Sequence, residues 1–339
     1  MLALKAALKA SLWALLTASP LVWPVCPEDP PLPLPGDLKV GINPQVFHGF
    51  DDEIKARILD SGARLIRVGR HNKLEDDAIT WAGQNGIEVL MFCGYTRGLP
   101  ITSSASARQR YADLCLADVR RLDPEARIIR YIEVWNEWNI GFGLGGIDAC
   151  RDDPGHPCRN AALYADLLEK VYDTFKAARP DILIAGGAVA GMGLEFMGKL
   201  LDAGGYEKMD LLSWHFYSKP NTSCSNALEA PGADVAAKWL SCVGKVRDLF
   251  TSRGLLPKRQ LFTEWGRFDN GTDLRKKLSA DTILAMHEAA RKSPDVAGLF
   301  WFDLAGRGSP KNEGFGLFDR QGGKKPQFFA FKAFKAGVP

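Results

Sequence analysis

A chain of 339 residues, 46% of them hydrophobic, holds enough apolar material for two modest domains or one large α/β barrel. Its 43 basic and 40 acidic residues nearly cancel, leaving a formal charge of +3. With the charges scattered and no basic run long enough to follow a phosphate backbone, nucleic acid is excluded as an expected partner.

Residues 1–25 run in the order of a secretory signal peptide. Lys5 and Lys9 come first, then the apolar Ala10-Ser11-Leu12-Trp13-Ala14-Leu15-Leu16, then Thr17-Ala18-Ser19 before Pro20. The apolar run is well short of the roughly 20 residues that span a bilayer, so no membrane span is expected after its removal. Residues 26–36 form a proline-rich lead that should be extended. The sequence therefore predicts a secreted or periplasmic protein with one folded domain over residues 37–339.

That domain alternates strands with helices, the pattern of a parallel sheet. Strands are predicted over 38–42, 65–68, 88–92, 131–135, 182–186, 211–214, 260–263 and 298–302. Helical periodicity fills 52–60, 75–84, 105–121, 161–178, 194–202, 235–252, 274–292 and 327–335. Eight strand–helix units in about 300 residues match a (β/α)8 TIM barrel. A doubly wound open sheet would want a Gly-x-Gly-x-x-Gly turn after its first strand. The nearest approach, Gly141-x-Gly143-x-Gly145-Gly146, follows the fourth strand and is expected to open no helix.

Seven cysteines fit an oxidising compartment. Cys150 with Cys158 and Cys224 with Cys242 read as disulfides, whereas Cys93 and Cys115 are left as a pair or as buried thiols. A metal site on Cys150, His156 and Cys158 lacks a fourth ligand nearby, and no metal or cofactor is expected.

In such a barrel the active site is built at the carboxyl ends of the strands. Strand one ends at Asn43, strand two near Arg67, strand four in Asn136-Glu137, strand six in His215-Phe216-Tyr217, strand seven in Glu264-Trp265 and strand eight at Trp301 and Asp303. Glutamates at the ends of strands four and seven face each other across the mouth, as a retaining glycosidase requires. Glu137 is then the acid and Glu264 the nucleophile. Asn136 is placed to hydrogen-bond a sugar 2-hydroxyl, and Arg67 and Tyr217 to keep Glu264 ionised. His71 lines the pocket or is a plain loop residue. Trp138, Phe142, Tyr95 and Phe216 are expected to be exposed aromatics around the mouth. Glu133, four residues before Glu137, is placed on the amino side of its strand, away from the chemistry.

The set Trp135-Asn136-Glu137, His215-Phe216-Tyr217, Thr263-Glu264-Trp265-Gly266 and Trp301-Phe302-Asp303, with the tail from Gly316-Leu317-Phe318-Asp319 to Phe331, resembles clan A of the retaining glycoside hydrolases. The resemblance runs from about Lys39 to Ala336. It implies hydrolysis of β-glycosidic bonds by double displacement, with Glu137 as acid/base and Glu264 as nucleophile. Asn136, Arg67, His215 and Tyr217 carry over as their supports and Trp301 as an aromatic platform for the sugar, and Trp265 is expected among the substrate-binding residues. Where many members have a histidine after strand three, this chain has Cys93-Gly94-Tyr95, which points away from the cellulase-like families. Within the clan the chain is similar to family 39 and its relatives that act on bacterial exopolysaccharides. A barrel that only binds carbohydrate is the alternative; it would keep the aromatics and lose a glutamate, and both are present.

Overall fold

The computed structural model describes residues 38–95, 98–217, 224, 233–306 and 313–336. The predicted signal peptide and the proline-rich lead lie outside the described residues. Eight parallel strands close into a barrel in sequence order. They are β1 (Lys39–Asn43), β2 (Leu65–Val68), β3 (Glu88–Phe92), β4 (Ile129–Glu133), β5 (Leu183–Ala190), β6 (Leu211–Tyr217), β7 (Gln260–Gly266) and β8 (Val296–Phe302). Closure is made by β1 on β8, paired from Lys39 with Gly298 to Asn43 with Phe302.

The helices are α1 (Asp52–Ser61), α2 (Lys73–Gln84), α3 (Ala105–Leu122), α4 (Gly146–Asp152), α5 (Ala161–Ala178), α6 (Leu194–Asp202), α7 (Ala233–Thr251), α8 (Asp273–Lys292) and α9 (Pro326–Ala336). Polar caps set several starts: Asp51 accepts from the Ile54 amide, and Asn72 with Glu75 forms a capping box on α2. The glycine-rich stretch does open a helix, the short α4, contrary to expectation. Among the described residues no helix is long and apolar enough to cross a membrane.

Inside the barrel Leu65, Leu90, Tyr131, Leu261 and Phe300 form a small apolar cluster separate from the larger strand–helix core. Gly41 completes it by absence, since a Cβ there would lie 2.6 Å from the Phe300 ring. Side chains alternate along a strand, so the next inward positions toward the carboxyl ends are two residues on. Those are Arg67, Phe92, Glu133, Thr263 and Phe302. An apolar plug is thus capped by a partly charged layer.

Two boundaries change the functional reading. β4 ends at Glu133, two residues earlier than predicted, because Trp135 turns into the left-handed region at φ +68° and cannot continue the ladder. Glu133 therefore sits at the carboxyl end of its strand, and its expected place away from the mouth is corrected. β6 and β7 run further than predicted; His215 stays in phase with inward Leu211, and the register shift around Phe262–Trp265 turns Glu264 toward the mouth.

Candidate active site

Arg67 is the hub of the charged layer. Its Nε donates to Glu133 Oε2 at 2.6 Å, its Nη1 to Glu264 Oε1 at 2.5 Å and its Nη2 to Asn136 Oδ1 at 2.9 Å. Burial works against the guanidinium charge, but Glu133 and Glu264 outweigh it and keep Arg67 firmly cationic. The guanidinium fork matches these planar acceptors in a way a lysine cannot.

Glu264 is held through both oxygens. Oε1 receives Arg67 and, at 3.4 Å, the amide of Asn43; Oε2 receives the Tyr217 hydroxyl in a short hydrogen bond. Burial and the adjacent Glu264 charge push the Tyr217 phenol well above its ordinary value, so it stays a donor.

Glu137 reaches the mouth on strained backbone. It has φ +49°, next but one to Trp135 at φ +68°, and such non-glycine positions cost of order 1–3 kcal/mol each. The strain is held in place by neighbours: the Glu137 amide donates to Ala188 O at 2.8 Å, and Tyr164 donates to Val134 O at 2.7 Å. His215 Nδ1 lies 3.0 Å from Glu137 Oε1 and 3.6 Å from Glu264 Oε2, while Nε2 lies 3.7 Å from Glu133 Oε1. Burial alone would depress the imidazole, but the Glu264 charge and the adjacent Glu133 and Glu137 carboxylates prevail and push it up to about 10. It is therefore an imidazolium at neutral pH, and its 3.4 Å approach to Arg67 Nη2 is a like-charge contact held by surrounding carboxylates.

Glu133 is fully buried. Burial opposes its ionisation, yet Arg67, His215 and Thr263, whose hydroxyl donates to Oε1 at 2.5 Å, hold its carboxyl at about 2. The sequence reading missed this residue as part of the site. The available signal was that Arg67 and Glu133 are opposite charges inside otherwise apolar strands, a combination that burial tolerates only as a pair.

Above this layer opens a cavity of about 730 Å³, lined by Asn43, Arg67, Asn136, Glu137, Tyr217 and Glu264 at its floor. Along one side runs an aromatic wall from the β1 end to the β4 end. Phe47, His71, Tyr95 and Phe142 follow one another at centroid spacings of 6.3, 5.1 and 6.2 Å. Gly143 permits the last contact, since a Cβ there would lie 2.5 Å from the Tyr95 ring. Phe302 and Phe315 line the opposite side. The His71 Nδ1 is committed to buried Glu75 at 3.0 Å, so His71 is fixed in the wall rather than loose in a loop.

Of the predicted site residues, the structure brings together Arg67, Asn136, Glu137, His215, Tyr217 and Glu264, with His71 on the wall. Trp138, Trp265 and Trp301 are corrected: all three are fully buried and none lines the cavity. Alternation explains the last two. With Glu264 and Phe302 facing the cavity, Trp265 and Trp301 point outward and meet edge to face at 4.8 Å under α8. Trp138 packs on Trp135 and donates to Pro157 O at 3.0 Å. Phe216 is buried as well, leaving Phe142 and Tyr95 from the expected exposed aromatics.

Three disulfides join Cys93 to Cys115, Cys150 to Cys158 and Cys224 to Cys242, so the Cys150 and Cys158 thiolates are not free for a metal. Glu137, His215 and Glu264 each present a ligand atom within 4.8 Å of the others. A divalent ion there would have to sit beside Arg67 and a cationic His215, an unfavourable place in a low-dielectric site.

No family model matches the sequence, and no curated protein matches it. Solved structures do. The fold is shared with family 39 glycoside hydrolases. A family 39 glycoside hydrolase from the gut symbiont Bacteroides cellulosilyticus WH2 superposes with a TM-score of 0.63 at 21% identity, over 89% of this chain and 64% of that one. A family 39 enzyme from Xanthomonas axonopodis pv. citri gives 0.62 at 19% over 91% and 68%, and a monomeric β-xylosidase from Caulobacter crescentus CB15 gives 0.62 at 18% over 88% and 68%. This chain thus spans just under two thirds of the Bacteroides protein's length.

Proposed function

We propose that the chain is a retaining β-glycosidase acting on a poly- or oligosaccharide. The observation that carries this reading is that Glu137 and Glu264 present carboxylate oxygens within 4.8 Å of each other on the cavity floor. Retaining enzymes hold the two groups about 5–5.5 Å apart, whereas inverting enzymes need roughly 6.5–9.5 Å to admit a water. Both side chains are partly open to the cavity, at 13% and 11% exposed.

In the first step Glu264, aligned by Arg67, Tyr217 and Asn43, attacks the anomeric carbon while Glu137 protonates the departing glycosidic oxygen. In the second, Glu137 takes a proton from water, which displaces Glu264 and regenerates the free enzyme. Since the Asn136 carbonyl oxygen accepts from Arg67, its amide nitrogen remains for the sugar 2-hydroxyl. Tyr95, Phe142 and Phe302 offer apolar faces to sugar rings. Bacterial exopolysaccharide is the substrate class that the sequence resemblance suggests, and the disulfides fit action outside the cytoplasm.

The test is chemical rescue. Glu264→Ala should lose turnover on an aryl β-glycoside, and added azide should yield the glycosyl azide of inverted configuration. Glu137→Ala should slow substrates with poor leaving groups most, because an activated phenol needs little protonation. An active Glu264→Ala enzyme without azide would refute the assignment.

A further inference from the structure

Beneath the two reacting carboxylates lie two fixed cations, Arg67 and the His215 imidazolium, and one further carboxylate, Glu133. Glu133 touches neither the cavity nor any reacting atom. It binds Arg67 at 2.6 Å and faces His215 at 3.7 Å, and through them it reaches both Glu264 and Glu137. Had the layer only to align Arg67, a neutral acceptor such as glutamine would serve. A buried carboxylate is a costly choice, and its charge must be balanced on the spot.

We propose that Glu133 is a positioning residue that balances charge: it takes up one of the two positive charges under the cavity, so that Glu137 and Glu264 share a single negative charge and Glu137 keeps the proton it gives to the leaving group. The inference rests on the glycosidase reading above. With Glu133 in place, Arg67 and His215 present one net positive charge to the two reacting carboxylates. One of these is then ionised as nucleophile and the other protonated as acid, and the site is neutral. With Glu133 made neutral, Arg67 and the His215 imidazolium, which Glu264 and Glu137 still hold, turn two positive charges to the pair, and both carboxylates are drawn to the ionised form. The nucleophile is unharmed; the acid is lost.

Tyr217, Tyr95 and Thr263 leave this count unchanged near neutrality. Tyr217 on β6 and Tyr95 after β3 are both held as neutral phenols by burial and by the Glu264 charge. Asp303 after β8, raised to about 7 by its burial, ionises in the neutral range and is common to the unaltered enzyme and the Glu133 variants. Thr263 on β7 offers Glu133 only a hydroxyl.

The experiment compares Glu133→Gln with the unaltered enzyme across pH, on one substrate with an activated aryl leaving group and one with a poor leaving group. The basic limb of the kcat/KM profile should move down by about one pH unit or more. At pH 7 the poor substrate should lose about 10²-fold or more, within the range general acid catalysis supplies, and the activated one no more than about tenfold. Glu133→Asp, which keeps the charge, should leave the limb in place and slow both substrates alike. Should Glu133→Gln not fold, the aspartate variant carries the test, and a shifted limb there overturns the proposal. So does an unmoved limb with uniform losses in Glu133→Gln, the mark of a merely structural role. The azide rescue of Glu264→Ala separates the two levels: if it fails, the glycosidase reading falls; if it succeeds while the limb stays put, only this inference falls.

Discussion

Asp303 offers a measurement of how the strand ends are insulated. It follows β8 with no exposed surface; its Oδ1 accepts from the Gly306 amide at 2.6 Å, and its Oδ2 has no hydrogen-bond partner among the described residues. Burial pushes the carboxyl from 3.8 up to about 7, against the Gly306 amide and the Lys325 charge, with Glu264 adding to the rise. For an acid raised on folding, the native state binds more protons than the unfolded chain between the two values. Stability from this group therefore falls as pH climbs from about 4 to 7, and the full penalty stands above 7. A rise of that size corresponds to roughly 4 kcal/mol, as an upper figure. Asp303→Asn removes the penalty and exchanges one unpaired polar group for another. Thermal melts should show the variant's advantage over the unaltered protein growing between pH 5 and pH 8.5 by about 3 kcal/mol, several degrees at roughly 2 °C per kcal/mol for a chain of this size. Because Glu264 contributes, the crossover should move to lower pH in a Glu264→Gln background. A stability difference that does not vary between pH 5 and 8.5 would refute the reasoning.

Two further outcomes follow from the geometry. Tyr217→Phe deletes the hydroxyl donor to Glu264 Oε2 and leaves Arg67 in place; a hydrogen bond to a charged group contributes about 1.5–3 kcal/mol, so kcat/KM should fall about 10- to 100-fold. Steady-state kinetics checks this, and an unchanged value would remove Tyr217 from the machinery. Replacing both Cys150 and Cys158 by alanine opens a link across a sequence separation of 8, and by chain entropy should cost about 2–3 kcal/mol in urea denaturation. A cost near zero would show that α4 and the Pro157 turn are held by packing alone.

Much of the fold was legible because parallel strands and covering helices carry different periods. All eight strands lie where apolar runs were read, and the helix boundaries moved by only a few residues. The placement of the two mouth glutamates was legible for the same reason, since counting strands puts Glu137 and Glu264 at two strand ends. What was not legible was phase. A period of two fixes which residues share a face, but bulges reset it, and the sequence gives no sign of the register shifts around His215 and Glu264. The expectation for Trp265 fails because the shift at Glu264 brings that residue to the cavity, whereas Trp301 lies on β8, where plain alternation from inward Phe300 already turns Phe302 to the cavity. Glu133 was misplaced by a related error. Val134 and Trp135 have strand-like side chains, and nothing in their composition announces that Trp135 adopts a positive φ and ends the pairing early.

The charged layer has no explanation in stability. Exchanging a buried ion pair for well-packed apolar residues is commonly neutral or favourable, while removing one partner costs about 3–5 kcal/mol. One step of two residues below, the same strands supply Leu65, Tyr131 and Leu261, which shows that the barrel fills its interior with apolar side chains where nothing else is asked of it. The change to Arg67, Glu133 and Thr263 at the next inward position is confined to the end where Glu137 and Glu264 emerge. Strain is concentrated there too, at Trp135, Glu137 and Ala188. Unfavourable burial and unfavourable backbone on the same few residues are what a site held for chemistry requires, and the strand–helix core around it provides the stability that lets them persist.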